Sequence, residues 1–199
     1  MAKPYNPKDF YYQRAKAQGL PARSAYKIEE IVRRHRLVAC GQAVLDLGAA
    51  PGGFLEVLAE AVGERGSVLG IDLEPIHPVR RAWVKTAVLD VRSPGAISQI
   101  RALHPVPFDL VTSDLAPKTI GVKVTDEARS LELCRLALAV AKETLRLGGS
   151  FVTKVFMGGE FSALRREVGA LFEENQVARP RATRQHSCEV YLVGKRLRH

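Results

Sequence analysis

From residue 43 onward the chain alternates short β-branched runs with longer amphipathic stretches, and this order constrains the fold more than any other feature. AVLDLG (43–48) reads as a first strand. GFLEVLAEAVG (53–63) follows as a helix with Leu55, Leu58, Ala59 and Val62 on one face. SVLGIDL (67–73) and VKTAVLDV (84–91) read as the second and third strands, and SPGAISQIRALH (93–104) as a short helix with Ser93 at its cap. FDLVTSDL (108–115) is a fourth strand. The pattern then predicts a long helix over 126–149, capped by Asp126 and stopped at Gly148 and Gly149. SFVTKVF (150–156) is a fifth strand, EFSALRREVGALFEE (160–174) a further helix, and QVARPRATR and CEVYLVGKRL are strand-like runs at the end. Such repetition favours an open, mainly parallel α/β sheet with helices on both faces. Ligands of these sheets lie beyond the carboxyl ends of the strands, near the first one.

The loop after the first strand therefore falls where a ligand is expected. It reads Gly48-Ala49-Ala50-Pro51-Gly52-Gly53-Phe54. The G-x-G-x-x-G spacing of a dinucleotide site is absent, and so is the Lys-Ser/Thr that closes a P-loop. A ligand without phosphates fits better, and S-adenosylmethionine is the common one in doubly wound folds. Asp72, at the end of the second strand, stands about where a carboxylate accepts ribose hydroxyls. Asp90, at the end of the third, can accept from an adenine amino group. Either acid alone is equally a turn residue, since Asp favours such places.

Charge is distributed unevenly. The net charge is +9 over 199 residues. Residues 1–36 hold nine Lys/Arg against three acids, residues 179–199 hold six against one, and the segment between is slightly acidic. Two basic ends on a near-neutral body suit a polyanion at one face, if the fold brings the ends together. In KPYNPKDFYYQRAKAQGLPARS, Tyr5, Phe10, Tyr11 and Tyr12 alternate with Lys3, Lys8, Arg14 and Lys16. Aromatics can stack on unpaired bases while cations neutralise phosphates, although the same aromatics can pin a helix to the core. The three cysteines, Cys40, Cys134 and Cys188, form neither a disulfide framework nor a metal motif, and the five histidines form no ligand pattern, so no metal is expected. No signal-like or membrane-spanning apolar run occurs, which favours a cytoplasmic protein. The length suits a single domain, 1–199, with 1–36 as a basic N-terminal extension and helix facing RNA.

Five segments in order, RSAYKIEEI, DLGAAPGGF, SDLAP, TKVF and SCEVYLV, resemble the FtsJ (RrmJ-like) ribosomal RNA 2′-O-ribose methyltransferases. The resemblance runs over roughly residues 10 to 195. It implies a Rossmann-like S-adenosylmethionine-dependent methyltransferase fold: a seven-stranded, mostly parallel sheet whose last two strands form an antiparallel addition. It implies an enzyme acting on a uridine 2′-hydroxyl of large-subunit rRNA, either free or within the ribosomal subunit, and a monomer is expected. Methylation of tRNA, or RNA binding without catalysis, are the other readings. By the same resemblance Lys27, Asp114, Lys154 and Glu189 are the catalytic set. Asp46, Gly48, Pro51, Gly52, Gly53, Phe54, Asp72, Asp90 and Asp114 form the cofactor site. Lys118 stands where relatives carry Asn, and Phe54 where many carry Trp.

The residues also speak for themselves. Lys154 lies within an apolar strand, and lysine is rarely buried without a partner. Partial burial disfavours the ammonium and prepares a lysine to act as base. A strand-end lysine snorkelling to water would share that sequence. Lys27 lies on a charge-rich amphipathic helix, where most charges simply face water. Glu189 opens the final strand and taken alone reads as a solvated edge carboxylate. Base-methylating enzymes are disfavoured because no Pro-Pro-aromatic signature or Pro-Cys nucleophile replaces Ser113-Asp114.

Overall fold

The computed structural model describes residues 24–184 and 187–199. The aromatic and basic cluster from Lys3 to Lys16 lies outside them. The elements run α1 (Ser24–His35), β1 (Ala43–Leu47), α2 (Gly53–Val62), β2 (Ser67–Asp72), β3 (Val84–Val88), α3 (Ala96–Leu103), β4 (Phe108–Ser113), α4 (Lys123–Thr144), β5 (Leu145–Phe156), α5 (Phe161–Leu171), β6 (Phe172–Ala178) and β7 (Glu189–Leu197).

The seven strands form one sheet in the order β3-β2-β1-β4-β5-β7-β6. β1 to β5 pair in parallel, while β7 runs antiparallel to both β5 and β6. Strand side chains alternate between faces, so β1 feeds two cores. Leu45 and Leu47 join α4 and α5 through Leu131, Cys134, Ala137, Leu164 and Val168. Val44 joins α1 and α2 through Ile28, Ile31, Leu55 and Leu58. Each such fully buried leucine contributes on the order of 2 kcal/mol by leaving water.

Several boundaries differ from the periodic reading. The long helix starts at Lys123 and ends at Thr144, five residues short of Gly149. Leu145 instead pairs with Phe108, and the register shifts before Ser150 meets Leu110. Gly148, at φ 76°, serves that irregularity and not a helix stop. Asp126 is no cap: its carboxylate accepts from the N–H groups of Ile120 and Gly121 in the preceding loop. Ser93 likewise caps nothing, because α3 begins after Gly95 and the Ser93 hydroxyl donates to the Asp90 carbonyl at 2.6 Å. α5 yields to β6 at Phe172, whose ring stacks on Phe151 at 6.1 Å and whose burial outweighs the helical pattern of its flanks. Asp114 and Asp90 fall just beyond their strands.

Strand β7 decides what meets at the carboxyl edge. Its antiparallel course places Glu189 opposite Phe156 and Tyr191 opposite Lys154. Directly paired residues share a face, and alternation keeps Glu189 with Tyr191. All three therefore point toward the layer that contains α1.

Candidate active site

A cleft of about 990 Å³ opens at the carboxyl edge, lined among others by Gly48, Ala50, Asp72, Asp90, Asp114 and Leu115. Gly48 has φ 76°, and a Cβ there would come within 2.9 Å of the Leu115 nitrogen. What lies against this glycine is the chain's own exit from β4. The close approach ties the β1 and β4 loops into one wall. Asp72 fixes the wall's other side, accepting from the N–H groups of Ala50 at 2.8 Å and Glu74 at 2.9 Å. Asp90 accepts from the Arg92 side chain, Nε at 2.9 Å and Nη2 at 2.8 Å, and from its backbone N–H. Those hydrogen bonds hold its carboxyl below the ordinary range.

Other expected cofactor residues take different places. Asp46 is fully buried in β1, pointing into the sheet's α2 side rather than the cleft. Its Oδ1 accepts from the Thr112 hydroxyl at 2.6 Å, and Oδ2 has no partner among the described residues. Burial pushes this carboxyl well above the usual carboxylate range. Phe54 is buried in the core, 6.5 Å from the Tyr191 ring, and does not line the cleft. Pro51, Gly52 and Gly53 form the turn into α2 behind it, with Gly52 at φ 118° in a conformation that favours glycine. Alternation explains Asp46: in a strand covered on both faces every residue points into one core or the other, and Asp46 shares the face of Val44.

Beside the cleft the four expected catalytic residues come together as two ion pairs. The Lys154 ammonium donates to the Asp114 carboxylate at 2.9 Å and to its carbonyl at 2.8 Å. The Lys27 ammonium donates to the Glu189 carboxylate at 2.5 Å, across 162 residues of sequence. Both lysine side chains are 8% exposed. Neither snorkels to water, because each finds its acceptor at the sheet edge. Each cation has its own anion, which locally offsets the repulsion between the two lysines.

Tyr191 links the two pairs and was not singled out in the sequence. Its hydroxyl donates to Asp114 Oδ1 at 3.1 Å, and Lys27 Nζ lies 6.0 Å from the ring centroid. Burial, reinforced by the Asp114 charge, pushes its phenol well above the ordinary value, so it remains a donor. The available signal was its position two residues after Glu189, where strand alternation repeats the face.

Among the described residues no group of three or more His, Cys, Asp or Glu side chains is placed to hold a metal ion. Nor is any helix there long and apolar enough to cross a membrane.

The parallel sheet with β7 inserted antiparallel, and an acid-bearing cleft at its carboxyl edge, has the Rossmann-like fold of S-adenosylmethionine-dependent methyltransferases. Archaeal fibrillarin from Aeropyrum pernix, solved with S-adenosylmethionine, shares this fold at TM-score 0.57 and 14% identity, over 86% of this chain and 73% of its own. A Plasmodium falciparum chain assigned as a ribosomal RNA methyltransferase shares it at TM-score 0.74 and 22% identity, over 89% of this chain and 98% of that one. Residues 20–197 match the family model of FtsJ-like methyltransferases, and the chain belongs to that family. Among its relatives are proteins named ribosomal RNA large subunit methyltransferase E. The one from Anaeromyxobacter sp. (strain Fw109-5) is 66% identical over 198 residues, covering all of this chain and 72% of the relative. The one from Myxococcus xanthus is 55% identical over 198 residues, covering all of this chain and 93% of the relative.

Proposed function

We propose that this methyltransferase, a monomeric cytoplasmic enzyme of one domain spanning residues 1–199, transfers a methyl group to a ribose 2′-hydroxyl of large-subunit rRNA, most simply a uridine. The observation that carries the reading is the pair of buried lysine–carboxylate contacts, Lys154–Asp114 and Lys27–Glu189, beside a cleft suited to an adenosyl ligand. The names of the 66% and 55% identical relatives support the substrate class.

The residues of the cleft fit S-adenosylmethionine. Asp72 keeps lone pairs for ribose hydroxyls after accepting two backbone N–H groups, Asp90 lies one strand further on for an adenine amino group, and Ile71, Leu89 and Leu115 supply apolar walls. When bound, the sulfonium supplies an electrophilic methyl with a good leaving group. The protein's share is to place the 2′-oxygen about 3 Å from it, on axis, and to remove a weakly acidic proton. In this reading the Lys154 side chain, having first released a proton to solvent, takes that proton. The two Asp114 oxygens, 2.8 and 2.9 Å from Nζ, stabilise the ammonium so formed. Glu189 orients Lys27 toward the incoming ribose, and Tyr191 keeps Asp114 in register.

The test is methyl transfer from labelled donor onto fractionated RNA and onto large ribosomal subunits, followed by mapping of the modified nucleotide. A 2′-O-methylated ribose in large-subunit rRNA is expected. Label on a base, or on tRNA alone, would overturn the reading.

A further inference from the structure

Among the described residues, the basic helix α1 meets the basic connection between β6 and β7. Strand β6 runs in the same direction as β5, so its end at Ala178 and the start of β7 at Glu189 both lie at the catalytic edge. The connection between them carries Arg179, Arg181 and Arg184 and no acid. It is braced from within by the Arg179 guanidinium, which donates to the carbonyls of Ser187 at 2.8 Å and Arg184 at 3.3 Å. Helix α1 holds both arms of the connection. Lys27 binds Glu189 at one end, and Glu30, one turn later, accepts the Arg181 N–H at 2.9 Å from the other.

Lys27, Glu30 and Arg34 are spaced by three and four residues, so they share one face of α1. Arg34 and Arg181 are exposed, and neither guanidinium has an ion-pair partner among the described residues. Other exposed arginines, such as Arg36, Arg80, Arg129, Arg166 and Arg198, also lack an ion pair among the described residues, but Arg34 and Arg181 differ from these in flanking Glu30, one turn from Lys27. The stripe from Lys27 to Arg34 spans about 10 Å along the helix.

Resting on the proposed function, we propose that Arg34 and Arg181, set on either side of Glu30, form a phosphate-binding track leading the RNA backbone to the Lys27 end of the active site. The track positions substrate and takes no part in methyl transfer. Phosphate contacts fix register without reading sequence, and each contact to single-stranded RNA adds about 0.7 to the slope of log affinity against log salt.

The experiment compares wild type, Arg34→Ala/Arg181→Ala and Arg34→Lys/Arg181→Lys, with purified large ribosomal subunits and with RNA extracted from them. The alanine pair is expected to raise KM for RNA roughly tenfold and to lower the salt slope by about 1.4. Its kcat at saturating RNA and its affinity for the methyl donor are expected to match wild type, and the lysine pair to restore the slope. An alanine pair with unaltered KM and slope overturns the track while leaving the proposed function standing. Wild-type protein that modifies no RNA overturns both. An alanine pair that has lost donor binding points to a folding role for these arginines and also overturns the track.

Discussion

The Tyr191 hydroxyl donates to the Asp114 carboxylate at 3.1 Å, from the strand position directly opposite Lys154. Asp114 is thus held from two directions, by a phenol and an ammonium, and the phenol belongs to the same strand as Glu189. Tyr191→Phe keeps the buried ring and removes only this donor. Removing a hydrogen bond to a charged group costs about 1.5–3 kcal/mol. The melting temperature is therefore expected to fall by roughly 3–12 °C. Methyl-donor affinity should be unchanged while kcat drops. An unchanged kcat would show that Asp114 needs no second tether.

Lys154→Arg tests the base directly. Arginine retains a cation for Asp114 but does not lose its proton in proteins. Donor binding by titration calorimetry is expected at wild-type strength. Transfer should fall by at least about a hundredfold, the contribution ordinary for a general base. Near-normal turnover would assign the proton to another group.

The pair Lys27–Glu189 separates stability from chemistry. Replacing one member leaves a buried, uncompensated charge, at a cost of about 3–5 kcal/mol. Replacing both by apolar residues of similar volume, as in Lys27→Met/Glu189→Leu, is often neutral. Urea titration should therefore show the double variant recovering most of what Glu189→Leu loses. Methyl transfer should recover in neither. Recovery of activity in the double variant would make this pair purely structural.

Asp46 gives a pH signature. Its carboxyl is pushed up in the folded chain, so folding binds this proton more tightly than the unfolded chain does. Its contribution to stability is fully present below the unfolded value near 3.8 and is lost as pH rises through the raised folded value. Asp46→Asn keeps an acceptor for Thr112 and removes the titration. The stability difference between variant and wild type, measured by urea unfolding from pH 3 to pH 8, should move in the variant's favour as pH rises. A difference that is flat with pH would mean the buried carboxyl does not titrate in that range.

The strand–helix alternation from residue 43 announced a doubly wound sheet because side-chain periods of 2 and 3.6 follow from local backbone geometry, which each segment carries within itself. Asp72 and Asp90 at the carboxyl edge were legible for the same reason, as were the glycines of the β1 loop. Element ends were less so: Phe172 left the helical pattern for a strand because its ring found Phe151, a partner 21 positions away in sequence. The motifs named Lys27, Asp114, Lys154 and Glu189 but could not say how they pair. Lys27 meets Glu189 only because β7 enters antiparallel between β5 and β6 while α1 packs over the same face. The same insertion made Tyr191 the link between the pairs, and the burial of both sheet faces turned Asp46 inward. Sequence by itself determined which segments become strands and helices and which acids and lysines stand at their ends. Tertiary structure decided which charge neutralises which, because ion pairing depends on distance in space, and strand order sets that distance.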